Sequence, residues 1–174
     1  MSAAVRLRPV RQDDLEVLEG MFSDPDRIGV FNWHGFSDTR YWRRRFEKNG
    51  LLGGDRCALM VETAAGERAG FVSWRPVNAG SPYECWEIGI GLLPEARGLG
   101  YGTEAQRQLV HYLFTHTRAN RIQAGTDSEN IAEQRALEKA GFTREGVMRG
   151  IAFRAGRWCD DVVYGILRAE VQLG

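Results

Sequence analysis

Apolar positions along the chain change period several times, and each change marks an element. "VRLRPV" alternates apolar and polar residues, as a half-buried strand does. "RQDDLEVLEGMF" then sets Leu15, Leu18 and Phe22 at helical spacing, and "SDPDRIG" ends that helix. "DTRYWRRRFEKNG" predicts a second helix, with Asp38 or Thr39 as cap and Gly50 as stop. Its aromatics Tyr41, Trp42 and Phe46 interleave with arginines, the pattern of one buried and one solvated face. "CALMVET" and "RAGFVSW" are β runs joined by a glycine-containing turn, and "YECWEIGIGLL" is a further strand. "TEAQRQLVHYLFTH" places Ala105, Leu109 and Leu113 on one helical stripe, and "RIQAG" reads as a short buried strand. "NIAEQRALEKAG" starts on Asn130 as cap, carries an inner stripe of Ala132, Ala136, Leu137 and Ala140, and stops at Gly141. "REGVMRGIAFRAGRWCDDVVYGIL" is two strands around "AGR". The predicted order is β-α-α-β-β-β-α-β-α-β-β. That is an α/β domain with a mixed sheet, in which only the central β-α-β is a parallel crossover.

Composition narrows the class. A chain of 174 residues suits one domain, so residues 1–174 are read as a single unit. Lys+Arg and Asp+Glu both count 23, and this balance weighs against a nucleic-acid binder. No apolar run approaches the ~20 residues that span a bilayer. The start, "MSAAVRLRPVRQDDLE", has no apolar signal core, so neither a membrane span nor export is expected. Cys57, Cys85 and Cys159 are odd in number and far apart, which points to reduced thiols in a cytoplasm. His34, His111 and His116 form no metal-ligand spacing, and no metal is expected.

The densest glycine cluster lies in "LLPEARGLGYGTEAQ", where Gly98, Gly100 and Gly102 fall within five residues. A strand ends and a helix begins there. Backbone N–H groups at a helix start point outward with partial positive charge, and glycines let them wrap a phosphate or pyrophosphate. Arg97 adds a charge and Thr103 a hydroxyl. A plain turn would need only one or two glycines. "GYGTEA" also matches G-x-G-x-x-A, with Asp127 placed for a ribose contact. That motif belongs on the first strand of a βαβαβ unit, whereas here four β segments precede it and too little chain follows. No G-K-[ST] follows, so a Walker loop is excluded.

"RGLGYG" fits the [QR]-x-x-G-x-[GA] acyl-CoA signature of the GNAT acyltransferase superfamily. With it, "WEIGIGLLPEARGLGYGTEA", "DSENIAEQRALEKAGFTREGVMRG" and "GRWCDDVVYGILRAE" resemble the RimJ/RimL branch, named for ribosomal-protein N-terminal acetyltransferases. Gly156, Trp158 and Asp160 stand where that branch has a glycine turn, an aromatic and an aspartate in its last strand pair. The resemblance covers nearly the whole chain and is tightest from Trp86 onward. It implies a single GNAT domain: a mixed, mostly antiparallel sheet with a central splayed parallel pair, flanked by about four helices. It implies acetyl-CoA as co-substrate, no metal, and direct acetyl transfer to a primary amine in a ternary complex. The amine is a small molecule or a protein N-terminus, and a homodimer is compatible with it.

The resemblance also assigns residues. Amides of Gly98, Leu99, Gly100, Tyr101, Gly102 and Thr103, with Arg97, hold the pyrophosphate. Backbone groups at Gly91, Leu92 and Leu93 meet pantetheine and polarise the thioester, Gly89 and Gly91 suiting the bulge of that strand. Asn130 contacts pantetheine as well as capping its helix, and Arg135 reaches a phosphate. Glu87 shares a strand face with Gly89 and Gly91 and is the candidate base, acting through water, with Glu84 behind it. A solvated or salt-bridged glutamate is the plain alternative. Leu137 stands where many members carry a tyrosine that protonates the thiolate, which leaves Ser128 or no donor. Glu133 occupies a position that is often small in the branch. For the acceptor, Phe31, Trp33, His34 and Phe36 form one wall, and Trp158 with Asp160 another. Asp160 has the alternative of fixing a backbone turn. A non-catalytic acyl-CoA sensor or structural subunit remains open; the intact loop with Glu87 and Asn130 favours an enzyme.

Overall fold

In the computed structural model, which describes residues 4–77 and 85–173, seven strands form one sheet in the order β1-β2-β3-β4-β5-β7-β6. The strands are β1 (Val5–Pro9), β2 (Cys57–Thr63), β3 (Arg68–Pro76), β4 (Cys85–Leu92), β5 (Arg121–Asp127), β6 (Thr143–Arg154) and β7 (Arg157–Leu167). The helices are α1 (Leu15–Phe22), α2 (Pro25–Ile28), α3 (Arg40–Asn49), α4 (Tyr101–His116) and α5 (Ile131–Ala140). All strand pairs are antiparallel except β4–β5. The architecture is the α/β GNAT arrangement expected from the sequence. The helix α2 is an addition: "SDPDRIG" ends one helix and starts another. Asp24 accepts the Asp26 N–H at 2.9 Å, and Pro25 takes the first helical position, where its missing N–H costs nothing.

Strand alternation sorts β4 between two cores. Trp86, Ile88, Ile90 and Leu92 join the cluster under α4 and α5, with Leu109, Phe114, Ile122 and Leu137. Glu87, Gly89 and Gly91 take the other face. There α1 and α3 cover the sheet with Leu15, Leu18, Met21 and Trp42 against Met60 and Phe71. On α5 the inward stripe is Glu133, Leu137 and Ala140, whereas Ala132 is exposed. Ala136, Leu137 and Ala140 of the expected stripe do face inward, and Glu133 takes the place expected of Ala132.

The parallel pairing is short. Cys85, Trp86 and Glu87 pair with Arg121, Ile122 and Gln123, and the ladder stops there. Beyond it β4 stays with β3 up to Gly70↔Leu92, while β5 follows β7 to Asp127↔Asp161. The sheet therefore opens between the C-terminal halves of β4 and β5. At the far edge, Ala155 (φ 50°) and Gly156 (φ 80°) close the β6–β7 hairpin in a left-handed two-residue turn suited to strand twist.

A buried ion cluster pins the chain start to this sheet. Asp14 is fully buried and accepts from Arg8 Nη1 at 2.6 Å, Arg68 Nε at 2.6 Å and the Arg11 N–H at 2.8 Å. Burial alone would push its carboxyl up. The hydrogen bonds from Arg8, Arg68 and Arg11 outweigh that and hold it well below the usual carboxylate range. We expect Asp14→Ala to cost about 3–5 kcal/mol of unfolding free energy, because it leaves Arg8 buried with two of its N–H groups unpaired and Glu62 as its remaining carboxylate, and takes a partner from Arg68 as well. Denaturant melts of wild type and variant check this. A lowered folded-state pKa gives stability that is present above about pH 4 and lost as pH falls below it, so the difference should shrink in acid.

Candidate active site

The edge of β4 that β5 abandons is a row of backbone groups. Leu93 N–H donates to Ala69 O at 2.9 Å and Val77 N–H to Cys85 O at 2.9 Å, so odd-numbered β4 residues pair with β3. Ile88, Ile90 and Leu92 present their N–H and C=O groups to the gap. Two of these carbonyls are already engaged: Ile90 O by Asn32 Nδ2 at 3.3 Å and Leu92 O by Arg97 Nε at 3.0 Å. The N–H groups of Ile90 and Leu92 are thus the ones that face the opening. Gly91 turns its backbone to β3, and a Cβ there would lie 2.6 Å from Phe71 Cε1. Leu93 is buried, with its N–H bonded to β3. Of the three residues expected at the thioester, the structure thus turns the N–H groups of Gly91 and Leu93 toward β3 and that of Leu92, with Ile90 beside it, toward the opening.

Below the gap lies a cavity of about 440 Å³ lined by Ile90, Leu92, Arg97, Gly102, Asn130 and Glu133, and by the α2 segment. Gly98 (φ 75°) and Gly100 (φ 81°) hold the left-handed turns that bring the chain into α4. The first helical bond runs from Glu104 N to Gly100 O at 3.2 Å, so the N–H groups of Tyr101, Gly102 and Thr103 precede the helical ladder and point outward. Leu99 is exposed between the two glycines. A Cβ on Gly102 would sit 3.5 Å from Leu92 Cδ1 and 3.7 Å from Ile90 Cδ1, inside the cavity wall. This is a cradle for an anion.

Arg97 does not point into the cradle. Its guanidinium binds Leu92 O, Asp26 O at 3.4 Å and Arg27 O, tying the loop to the last turn of α2, where carbonyls attract a cation. The residue expected at the phosphate thus serves as a brace in this structure while remaining part of the cavity wall. Asn130 Oδ1 accepts the Glu133 N–H at 3.3 Å and its Nδ2 donates to Thr126 Oγ1 at 3.0 Å, so it caps α5 and lines the cavity at once. Arg135 is exposed on the outer side of α5. Ser128 is fixed by its main chain, N–H to Asp160 O and O from Gln134 Nε2, each at 2.9 Å, and lies off the cavity wall.

Across the sheet, the face that carries Glu87 is rich in carboxylates. Glu87 receives Arg75 Nε at 2.8 Å and Gln123 Nε2 at 3.2 Å, which links β3, β4 and β5 at the last parallel rung. The salt-bridged reading of Glu87 therefore describes its geometry. Glu84 lies outside the described residues. Asp127 and Asp161 are register partners on this same face, and Arg154 and the Glu129 N–H hold Asp127. Burial, then the charge of Asp127, pushes the Asp161 carboxyl up. Phe31 stacks under the Arg154 guanidinium at 4.9 Å, and Trp33 meets Phe36 edge-on at 5.2 Å. Trp33 and His34 line a second cavity of about 550 Å³ together with Arg154 and Ala155.

The geometry of Asp160 matches the backbone-fixing alternative, and Trp158 stands apart from the second cavity. Asp160 Oδ1 accepts the Gly150 N–H at 2.7 Å, so it fixes the β6–β7 backbone, and strand alternation turns it away from Asp161. Trp158 is 68% exposed, packs edge-on against Phe153 at 5.3 Å, and is not part of the second cavity's wall. The residue missed was Asp161. Its signal was present in the sequence: Val162, Tyr164 and Ile166 mark the buried face, which puts Asp161 on the opposite one. Among the described residues no helix is long and apolar enough to cross a membrane, and no cluster of His, Cys, Asp or Glu is gathered for a metal ion.

The chain belongs to the GNAT acetyltransferases: the family's Acetyltransferase (GNAT) domain matches residues 4–143. It is an N-acetyltransferase of that family. It is 27% identical over 168 residues to the uncharacterized N-acetyltransferase p20 of Bacillus licheniformis, covering 94% of this chain and 93% of that one. It is 40% identical over 83 residues to the probable N-acetyltransferase YjcK of Bacillus subtilis, 48% and 46% of the two chains. In fold it is similar to the spermidine N-acetyltransferase of Vibrio cholerae solved with CoA and spermine, with TM-score 0.84 and 20% identity over 97% of this chain and 98% of that one. It is also similar to Mycobacterium smegmatis RimJ in complex with CoA-disulfide, with TM-score 0.79 and 23% identity over 97% and 84%.

Gly102 offers a direct test of the cradle, since its backbone is unstrained and its open side faces the cavity. Gly102→Val should weaken acetyl-CoA binding by at least tenfold in calorimetry, about 1.4 kcal/mol, with little change in thermal stability. Unchanged affinity in the folded variant would remove the loop from the cofactor site.

Proposed function

We propose that the chain, acting as one domain, transfers an acetyl group from acetyl-CoA directly to a cationic primary amine, with both substrates bound together. The carrying observation is the opening between β4 and β5. It has outward amides of the α4 start on one side and the carboxylates Glu87 and Asp161 on the other. A route through the sheet lets the thioester enter from one face and the amine from the other. On this reading the amides of Gly98 to Thr103 hold the pyrophosphate, and the Ile90 and Leu92 N–H groups stabilise the developing oxyanion.

An amine with a pKa of about 10 arrives protonated and must lose that proton before it attacks. Glu87 is bound to Arg75 and Gln123, whereas Asp161 is the carboxylate whose proton affinity is raised. We assign proton acceptance, through water, to Asp161, with Glu87 as the charge that attracts the ammonium. Carbonyl attack forms the C–N bond, and collapse of the tetrahedral species breaks the C–S bond. Phe31, Trp33 and His34 supply the rim that receives the body of the amine. Both small amines and peptide N-termini fit this description. The solved spermidine enzyme makes polyamines the first probes to try. A non-catalytic acyl-CoA sensor would bind acetyl-CoA and release no thiol with any amine, and a thiol-release assay over an amine panel separates the two.

Asp161→Asn should lower kcat between about tenfold and ten-thousandfold and leave the acetyl-CoA KM nearly unchanged. In the wild type, kcat should fall as acid protonates Asp161, with a midpoint above that of an ordinary aspartate, and the variant should lose this limb. A larger loss in Glu87→Gln than in Asp161→Asn would return the base to Glu87. For the rim, Trp33→Ala should raise the KM of the amine several-fold with little effect on acetyl-CoA, the pattern of lost binding to one substrate. A selective loss of acetyl-CoA affinity would move Trp33 to the cofactor side.

A further inference from the structure

The transfer just described leaves a thiolate to be protonated, and α5 lacks the expected tyrosine. Leu137 stands at that position and is fully buried in the core beneath α4 and α5. The Tyr164 hydroxyl, in the same core cluster as Leu137, donates to Glu138 at 3.1 Å. One turn before Leu137, on the same inward stripe, is Glu133. Its side chain is half-buried and forms part of the wall of the 440 Å³ cofactor cavity, beside Asn130 and across from Ile90, Leu92 and Gly102.

The surroundings of Glu133 suit a neutral carboxylic acid. The β4 residues that share its cavity wall, Ile90 and Leu92, are apolar. The loop residue on that wall, Arg97, has its guanidinium engaged by three main-chain carbonyls. Asp26, at the mouth of the cavity, is exposed and carries the same sign of charge. From α4 it meets Gln106, which is 1% exposed and whose Nε2 has no hydrogen-bond partner among the described residues. That amide lies near enough to favour the carboxylate, but it closes no hydrogen bond of normal geometry. Burial dominates and raises the Glu133 pKa to about 7. Among the described residues no cation bonds to Glu133, and the buried Gln106 amide beside it lacks an acceptor of normal geometry, so the carboxyl that lines the cavity is free to meet a ligand there. An anionic coenzyme in the same cavity favours the neutral acid further.

We propose that Glu133, set against Gln106, enters the acetyl-CoA complex as the neutral acid and delivers its proton to the coenzyme A thiolate. The inference rests on the acetyl transfer described above. As the C–S bond breaks, its electron pair goes to sulfur, and the Glu133 O–H proton moves to that sulfur. Glu133 is left as a carboxylate, which regains a proton from solvent after the thiol departs. Two protons leave the nitrogen: one from the ammonium by way of Asp161 before attack, and one from the tetrahedral species to solvent as the amide forms. The net reaction is an ammonium and a thioester giving an amide, a thiol and one proton.

Two measurements test the role. Calorimetry of acetyl-CoA binding at pH 8, in buffers of different ionisation heat, reads the protons taken up. The wild type should take up about one proton, since the free carboxyl is mostly ionised at that pH and the bound one is not. Glu133→Gln should take up none. Gln106→Leu, which removes the one group favouring the carboxylate, should keep the uptake and move its onset to higher pH. In turnover, Glu133→Gln should lower kcat at least about tenfold at pH 8 and change the acetyl-CoA KM much less. Thermal melts confirm that the isosteric variant is folded. Equal proton uptake in wild type and Glu133→Gln overturns the proposal, and so does an unchanged kcat across the pH range. Thiol release by the wild type with an amine establishes the transfer independently. A turning-over wild type beside an unaffected variant therefore refutes only the role of Glu133.

Discussion

The rung Glu87↔Gln123 is where the parallel pairing of β4 and β5 ends, and the rest of the site depends on it. Up to this rung the two strands satisfy each other. Past it, β4 is committed to β3 and β5 to β7, and neither ladder leaves room for the other. Glu87 closes the last rung with side-chain bonds to both neighbouring strands. Unpaired strand backbone inside a folded protein is expensive unless something meets it. Here Asn32 and Arg97 meet two of the carbonyls, and both belong to segments that also wall the cavity. The same polar groups that keep the opening from collapsing thus shape it for an extended ligand.

The two faces of the opening have opposite chemistry. On the α4–α5 side the helix start offers amide N–H groups and a glycine where a side chain would block the cavity. On the α1–α3 side the sheet offers carboxylates and an aromatic rim. Anion on one side and cation on the other is what a coenzyme A thioester and an ammonium require. It also keeps each substrate from binding in the other's place.

Much of this was legible in the sequence. The strand and helix order, the glycine loop and the Asn130 cap follow from period, breakers and capping chemistry, because those features are local. Tertiary contacts decided the rest. Arg97 reads as a phosphate ligand until the carbonyls of α2, far away in sequence, are seen to hold it. Asp160 and Asp161 are adjacent, and only the register with β5 and β6 shows which one faces the amine side. On α5 the expected inner face holds at Ala136, Leu137 and Ala140, but at its first turn Glu133 rather than Ala132 is the half-buried residue, a choice that helical period does not fix at a helix end. Which of Gly91, Leu92 and Leu93 turns its N–H to the opening depends on which neighbour stays paired, and the sequence does not show that.

The most direct measurement is amide hydrogen exchange along β4 and the α4 start, with and without acetyl-CoA. The β4 edge that faces the opening carries the N–H groups of Ile90 and Leu92, and the helix start carries those of Tyr101, Gly102 and Thr103. These five should gain protection on binding, while Gly89 and Gly91, already paired with β3, should change little. Protection confined to Gly89 and Gly91, or none in β4 at all, would contradict the view that the abandoned strand edge is the cofactor's binding surface.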